Sequence, residues 1–185
     1  MKLEEMRQLL EIHDRAAAQH DAQGVAATFA EDGVYENFSL DLRFEGRNAV
    51  ELHYAGSYQM TPDMRTTTLA EIVGHDVIAR LSTVSGTVKD SFMGVAAAGH
   101  VEFPFVIVFR FGHRLLSHVS VYYDLEALCE QLKISSDEVR SNLASLRTVL
   151  AQPPGEVAGE DVLVKLNLES LRTVLARQTP RGGTR

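Results

Sequence analysis

Four β-branched and aromatic runs follow Pro62: RTTTLAEIVG, DVIARLSTVSGTV, HVEFPFVIVFRF and RLLSHVSVYYD. Each has the length of a strand, and only short turn-prone pieces separate them: His75-Asp76, the small-residue stretch GVAAAG, and Gly112-His113. A parallel crossover needs roughly a dozen residues or more, so these strands are expected to pair antiparallel with their neighbours. A long antiparallel sheet of this kind buries one face and must find something to cover it.

The first third of the chain supplies the cover. Residues 2–19 carry Leu3, Met6, Leu9, Leu10, Ile12 and Ala16 at three- and four-residue spacing, which predicts an amphipathic helix with Glu4 and Glu5 near its positive end. His20-Asp21 breaks it, and Asp21 is placed to cap a second short helix running through Phe29. VYENFSLDLRFEG alternates polar and apolar residues around a bend at Ser39–Asp41, as a hairpin does. Gly46-Arg47 opens a third helix, NAVELHYAGSYQM, which must stop before Pro62 because proline disfavours α geometry in its predecessor. DLEALCEQL predicts a short helix after the last strand.

Composition narrows the class of function. With 45% hydrophobic and 23% charged residues the chain is an ordinary globular one. A net charge of -7, with no basic stripe, argues against a nucleic-acid partner. The single cysteine, Cys129, rules out an internal disulfide and any cysteine-rich zinc motif, and it is expected to be a buried small hydrophobe. No signal-peptide pattern or membrane-spanning run is present, so a reduced cytoplasmic setting is expected. His13, His20, His53, His75, His100, His113 and His118 fall on separate elements without metal-ligand spacing, so a metal is not expected.

Residues beyond 133 differ in character. Ser135–Gln152 and Asp161–Gln178 each predict a helix, with PPGEVAGE as the linker between them. They share a repeat, NLASLRTVLA at 142–151 and NLESLRTVLA at 167–176, identical at nine of ten positions. Two copies are too few for a solenoid, so the segment reads as a pair of amphipathic helices packing on the domain or on each other, or as an appendage that binds a protein partner or dimerises. The expected organisation is a domain over 1–133, a two-helix extension over 134–178 and a disordered tail over 179–185.

Four local patterns carry a family resemblance: VAATFAEDGVYEN, FEGRNAVELHY, SFMGVAAAGHVEFPFVIVFRF and HRLLSHVSVYYDLEALCEQL. In this order residues 1–133 resemble the SnoaL-like polyketide cyclases of the nuclear transport factor 2-like superfamily. The resemblance implies an α+β cone, a strongly curved antiparallel sheet wrapped by the N-terminal helices around a pocket, with the C-terminal helical extension outside it. It further implies cofactor-free aldol-type ring closure, or a related isomerisation, of an apolar carbonyl substrate by carboxylate acid–base catalysis. Relatives commonly dimerise across the outer face of the sheet, so the resemblance implies a homodimer, or a monomer if the appended helices cover that face instead. VAAA between Gly94 and Gly99 departs from the proline and the threonine or lysine that many relatives carry, which puts the pocket rim in doubt.

Removing a proton from carbon needs a carboxylate whose charge is disfavoured by partial burial. Asp124 matches the family's acid–base position, although an Asp at a strand-to-helix junction equally suits an N-cap. Period-two alternation places it on one face with His118, Ser120 and Tyr122, opposite Val119, Val121 and Tyr123. On that reading His118 polarises a carbonyl and Tyr122 donates to an enolate; otherwise His118 is a hydrogen-bonded structural histidine and Tyr122 a strand former. Asn37, at a position where the family faces an amide or imidazole into the pocket, shares a face with Tyr35; both are expected to contact substrate, although Asn37 also suits a turn. Phe103, Phe105, Ile107, Phe109 and Phe111 form one row, either core or the wall of a pocket for a flat ligand, and Pro104 points to an edge or a bulge. Two further functions suit the same scaffold: a non-catalytic small-ligand or protein-binding module, and a hydrolase or dehydratase.

Overall fold

The computed structural model of the chain describes residues 1–150. The linker, the second repeat helix and the tail expected from the sequence lie outside the described residues. Three helices open the chain: α1 (Leu3–Ala18), α2 (Ala22–Ala27) and, after a hairpin of β1 (Phe29–Asn37) and β2 (Leu42–Glu45), α3 (Arg47–Met60). β3 (Arg65–Val73), β4 (Val77–Val88), the small hairpin β5 (Ser91–Phe92) and β6 (Val95–Ala96), then β7 (Gly99–Phe111) and β8 (Leu116–Tyr123) follow. Helices α4 (Leu125–Leu132) and α5 (Ser136–Leu150) close the order. The second helix ends earlier than expected, because Phe29 is already the first residue of β1.

Six strands form one sheet in the order β2-β1-β8-β7-β4-β3. The consecutive long strands pair antiparallel, as their short connections require, whereas β1 meets β8 in parallel across the whole domain. Register shifts interrupt β1 between Phe29 and Val34, β3 between Thr68 and Ala70, and β7 between Arg110 and Phe111. Such irregularities bend and twist a strand, which is how a sheet of this length curls rather than lying flat. Gly33 lies in the β1 irregularity: a Cβ there would sit 2.9 Å from the Ala30 carbonyl oxygen and 3.1 Å from that of Leu116.

One face of the curved sheet holds the core. Phe105, Ile107, Phe109 and Phe111 of β7 and Val119 and Val121 of β8 are buried there against Met6, Leu9 and Leu10 of α1 and Val50 of α3. Cys129 is buried among them, on α4. Arg80 clamps α1 to the sheet, its Nη1 donating to both Asp14 oxygens at 3.0 and 2.8 Å and its Nε to Glu71 Oε2 at 3.1 Å. Pro104 lies on β7 just beyond Phe105, where pairing with β8 ends. There Gln131 of α4 takes over the role of a strand: its amide accepts from Glu102 N at 2.8 Å and donates to Glu102 O at 3.0 Å.

Candidate functional site

The polar interior begins on β1 and β8. Alternation turns Tyr35 and Asn37 toward the helices, and it does the same for Tyr123 at the end of β8. Asn37 is 5% exposed and holds two structures together. Its Oδ1 accepts from Leu40 N at 3.1 Å, closing the turn into β2, while its Nδ2 donates to the Tyr123 hydroxyl at 3.4 Å. The same amide lies against the Tyr35 phenol. Burial pushes both phenols well above the ordinary tyrosine value, with Asn37 opposing part of the rise. They remain neutral hydroxyls at any physiological pH, suited to donating a hydrogen bond rather than to taking a proton.

Helix α3 lays imidazole and phenol rings over this pair. The His53 ring is 4.1 Å from that of Tyr35 and 4.5 Å from that of Phe44; Tyr54 meets Tyr35 edge-on at 5.6 Å. His53 and Tyr54 are half-buried by surface area, but their rings are enclosed, and the enclosed ring decides the electrostatics. Desolvation lowers His53 to about 3, so its imidazole is neutral. His13 of α1 extends the row, 6.1 Å from Tyr54 and 5.4 Å from Phe109. It is lowered to about 4, by burial first and by the Arg80 charge second.

The tautomer of His13 follows from its partner. Thr28 Oγ1 donates its one proton to Val25 O at 2.6 Å, so it can only accept from His13 Nδ1, 3.0 Å away. His13 Nε2 is thereby left unprotonated, a hydrogen-bond acceptor among the rings of Phe29, Tyr54 and Phe109. The interior thus combines phenol donors at one end with a neutral imidazole acceptor at the other, inside aromatic walls.

The other sequence candidates do not join Tyr35 and Asn37. His118, Ser120 and Tyr122 share a face as expected, but it is the face turned away from the core, for Val119, Val121 and Tyr123 are the inward residues. His118 Nε2 lies 3.1 Å from Glu36 Oε2, and Glu36 also reaches Arg43 at 3.7 Å. Tyr122, 43% exposed, stacks on Phe38 with centroids 4.6 Å apart and planes 7° from parallel. Ser120 is buried on that same outer face. Asp124 is the exposed N-cap of α4, its Oδ1 accepting from Ala127 N at 3.1 Å. Among the described residues no group of three or more His, Cys, Asp and Glu is placed to hold a metal.

Residues 10–118, well over half the chain, match the SnoaL-like domain. The chain belongs to the SnoaL-like domain family. Solved structures agree on the fold at low identity. A SnoaL-like protein designated a polyketide cyclase, from Shewanella denitrificans OS-217, superposes with a TM-score of 0.63 at 15% identity, covering 71% of this chain and 98% of that one. A protein of ketosteroid isomerase-like fold from Catenulispora acidiphila DSM 44928, in complex with trimethylamine, gives 0.61 at 17%, covering 70% and 95%. An LEH-like epoxide hydrolase of M. tuberculosis gives 0.57 at 16%, covering 70% and 90%. No curated protein matches the sequence. Within the SnoaL-like fold, then, the sequence reading missed His13, His53, Tyr54 and Tyr123. The available signal was the apolar partners of Tyr123 on β8: Val119 and Val121 mark the inward face, whereas His118 and Ser120 mark the outer one.

Proposed function

We propose that this SnoaL-like domain binds a small, flat, largely apolar molecule inside the cone and polarises one oxygen of it with the hydroxyls of Tyr35 and Tyr123. The observation that carries the reading is the Asn37 bridge: one buried amide gathers two neutral phenols into a single donor site with aromatic walls. Donors held in place at low local dielectric stabilise negative charge developing on a carbonyl oxygen, which is the electrophilic half of an enolisation or ring closure.

The chain contains no tryptophan, and of its five tyrosines only Tyr122 lies on the outer face, so tyrosine fluorescence reports the interior. Titration with α-tetralone, a flat bicyclic ketone, is expected to change that emission. Tyr35→Phe and Tyr123→Phe should each weaken binding about five- to tenfold, the loss of one neutral hydrogen bond. Tyr122→Phe should leave affinity unchanged. Equal affinity in all four proteins would sink the proposal.

A second reading adds catalysis with a carboxylate. It is favoured by the position of Asp124, directly after Tyr123 on the strand that enters the cluster, and by the polyketide-cyclase designation of the Shewanella relative. Here Asp124 would take the proton from carbon while the phenols hold the oxygen, giving a cofactor-independent cyclase or isomerase. Asp124→Asn is the discriminating variant, because asparagine caps a helix as well as aspartate does. It should keep the melting temperature and abolish hydrogen–deuterium exchange at the α-carbon of bound α-tetralone. Undiminished exchange would remove Asp124 from the mechanism and leave the binding reading standing.

A further inference from the structure

The repeat and the packing of α5 bear on each other. α5 packs on α4 and β6 through one stripe of its surface. Val139 is fully buried, Leu143 is 6% exposed, and both belong to the core. Between them Asn142 donates its Nδ2 proton to the carbonyl of Met93. That carbonyl is available because Met93 and Gly94, at φ 50° and 82°, form the turn of the β5–β6 hairpin. Val, Asn and Leu at positions i, i+3 and i+4 occupy one helical face.

All three recur 25 residues later, as Val164, Asn167 and Leu168. The exposed positions between and beside them have changed: Glu138, Arg140, Ser141 and Ala144 correspond to Leu163, Lys165, Leu166 and Glu169. The three residues of α5 that bury or bond against the β5–β6 hairpin and the core, Val139, Asn142 and Leu143, are thus identical in the second copy, while exposed Glu138, Arg140 and Ser141 are not. We propose that residues 161–176 are a second occupant of the groove beside Met93 and α4, exchanging there with residues 136–150 of the same chain.

One contact sets the balance between the two occupants. Ser136, buried at the start of α5, donates to Glu126 Oε2 at 2.6 Å. Its counterpart is Asp161, a second carboxylate that would face Glu126. The first copy is therefore the preferred occupant and the second a reserve, and only one can hold the single Met93 carbonyl and the single apolar groove at a time. When the second copy docks, residues 133–163 form a loop long enough to close without strain.

The test uses the full chain and three variants: Asn142→Ala with Leu143→Ala, Asn167→Ala with Leu168→Ala, and all four together. Thermal unfolding should show a modest drop for the first pair, none for the second, and for all four a drop roughly twice the sum of the separate ones or more. Adding Asp161→Ser to the first pair should recover part of its loss, because the reserve copy then gains the Glu126 contact. A first-pair variant that melts as low as the fourfold one, with no recovery by Asp161→Ser, would overturn the exchange. Recovery that rises with protein concentration would also overturn it, by assigning the second copy to a neighbouring molecule.

Discussion

The two faces of the sheet are built from the same strands and do different work. On β8, Val119, Val121 and Tyr123 enter the core, while His118, Ser120 and Tyr122 turn outward one residue away. On β1, Tyr35 and Asn37 enter while Glu36 turns outward to His118. Inside, beyond the Arg80 clamp, the polar groups around the rings are few and uncharged: Asn37, Tyr35, Tyr123, His13 and His53. Outside, Glu36, His118, Arg43 and Glu45 form a network. The difference teaches where chemistry can be concentrated: an uncharged donor or imidazole keeps its interaction energy where water is excluded, whereas an exposed ion pair is screened.

Large-to-small substitution should separate the faces most widely. Phe109, 2% exposed, touches the His13 ring and lies under the Arg80 guanidinium; Phe109→Ala is expected to cost about 3–5 kcal/mol of stability. Val106 on the same strand is 38% exposed, and Val106→Ala should cost about 0.5 kcal/mol or less. Urea unfolding measures both. Similar losses at the two positions would break the comparison.

Next comes pH. His13 is lowered from 6.5 to about 4 in the folded chain, so the unfolded chain binds the proton more readily. Its contribution is fully present above pH 6.5 and is lost as pH falls through the window down to about 4. The loss is on the order of 3 kcal/mol for a shift of this size. His13→Gln should reduce the slope of the stability profile across that window, leaving the part contributed by His53, and an unchanged slope would show that His13 does not contribute.

The smallest effect is expected on the outer face. His118→Ala removes a partly exposed partner of Glu36 and should cost under about 1 kcal/mol, with no change in ligand affinity. A larger loss would mean that the outer network contributes to the fold as much as the inner rings do.

Much of the architecture was legible in local sequence. Apolar spacing located α1, Asp21 and Asp124 marked helix starts, Gly46 and Pro62 bracketed α3, and short turns dictated the antiparallel pairings of β3, β4, β7 and β8. The parallel contact of β1 with β8 was not legible, because nothing near Phe29 or Leu116 encodes a partner some eighty residues away. For the site, the alternation of β8 was read correctly but not which of its faces was the inner one. Period two separates the faces without naming the buried one.

The sequence by itself therefore determined the main helices and long strands, their order, the antiparallel pairing of those strands and the pairing of Tyr35 with Asn37 on one face, since each depends on neighbours within a few residues; the small β5–β6 hairpin in the turn-prone GVAAAG region was not among them. Only the tertiary structure decided that Tyr123 rather than Tyr122 meets Asn37, and that His53 and His13 lie under rings that keep them neutral. Those outcomes depend on how the sheet curls and on which helices cover it, and curvature is a property of the assembled strands rather than of any one of them.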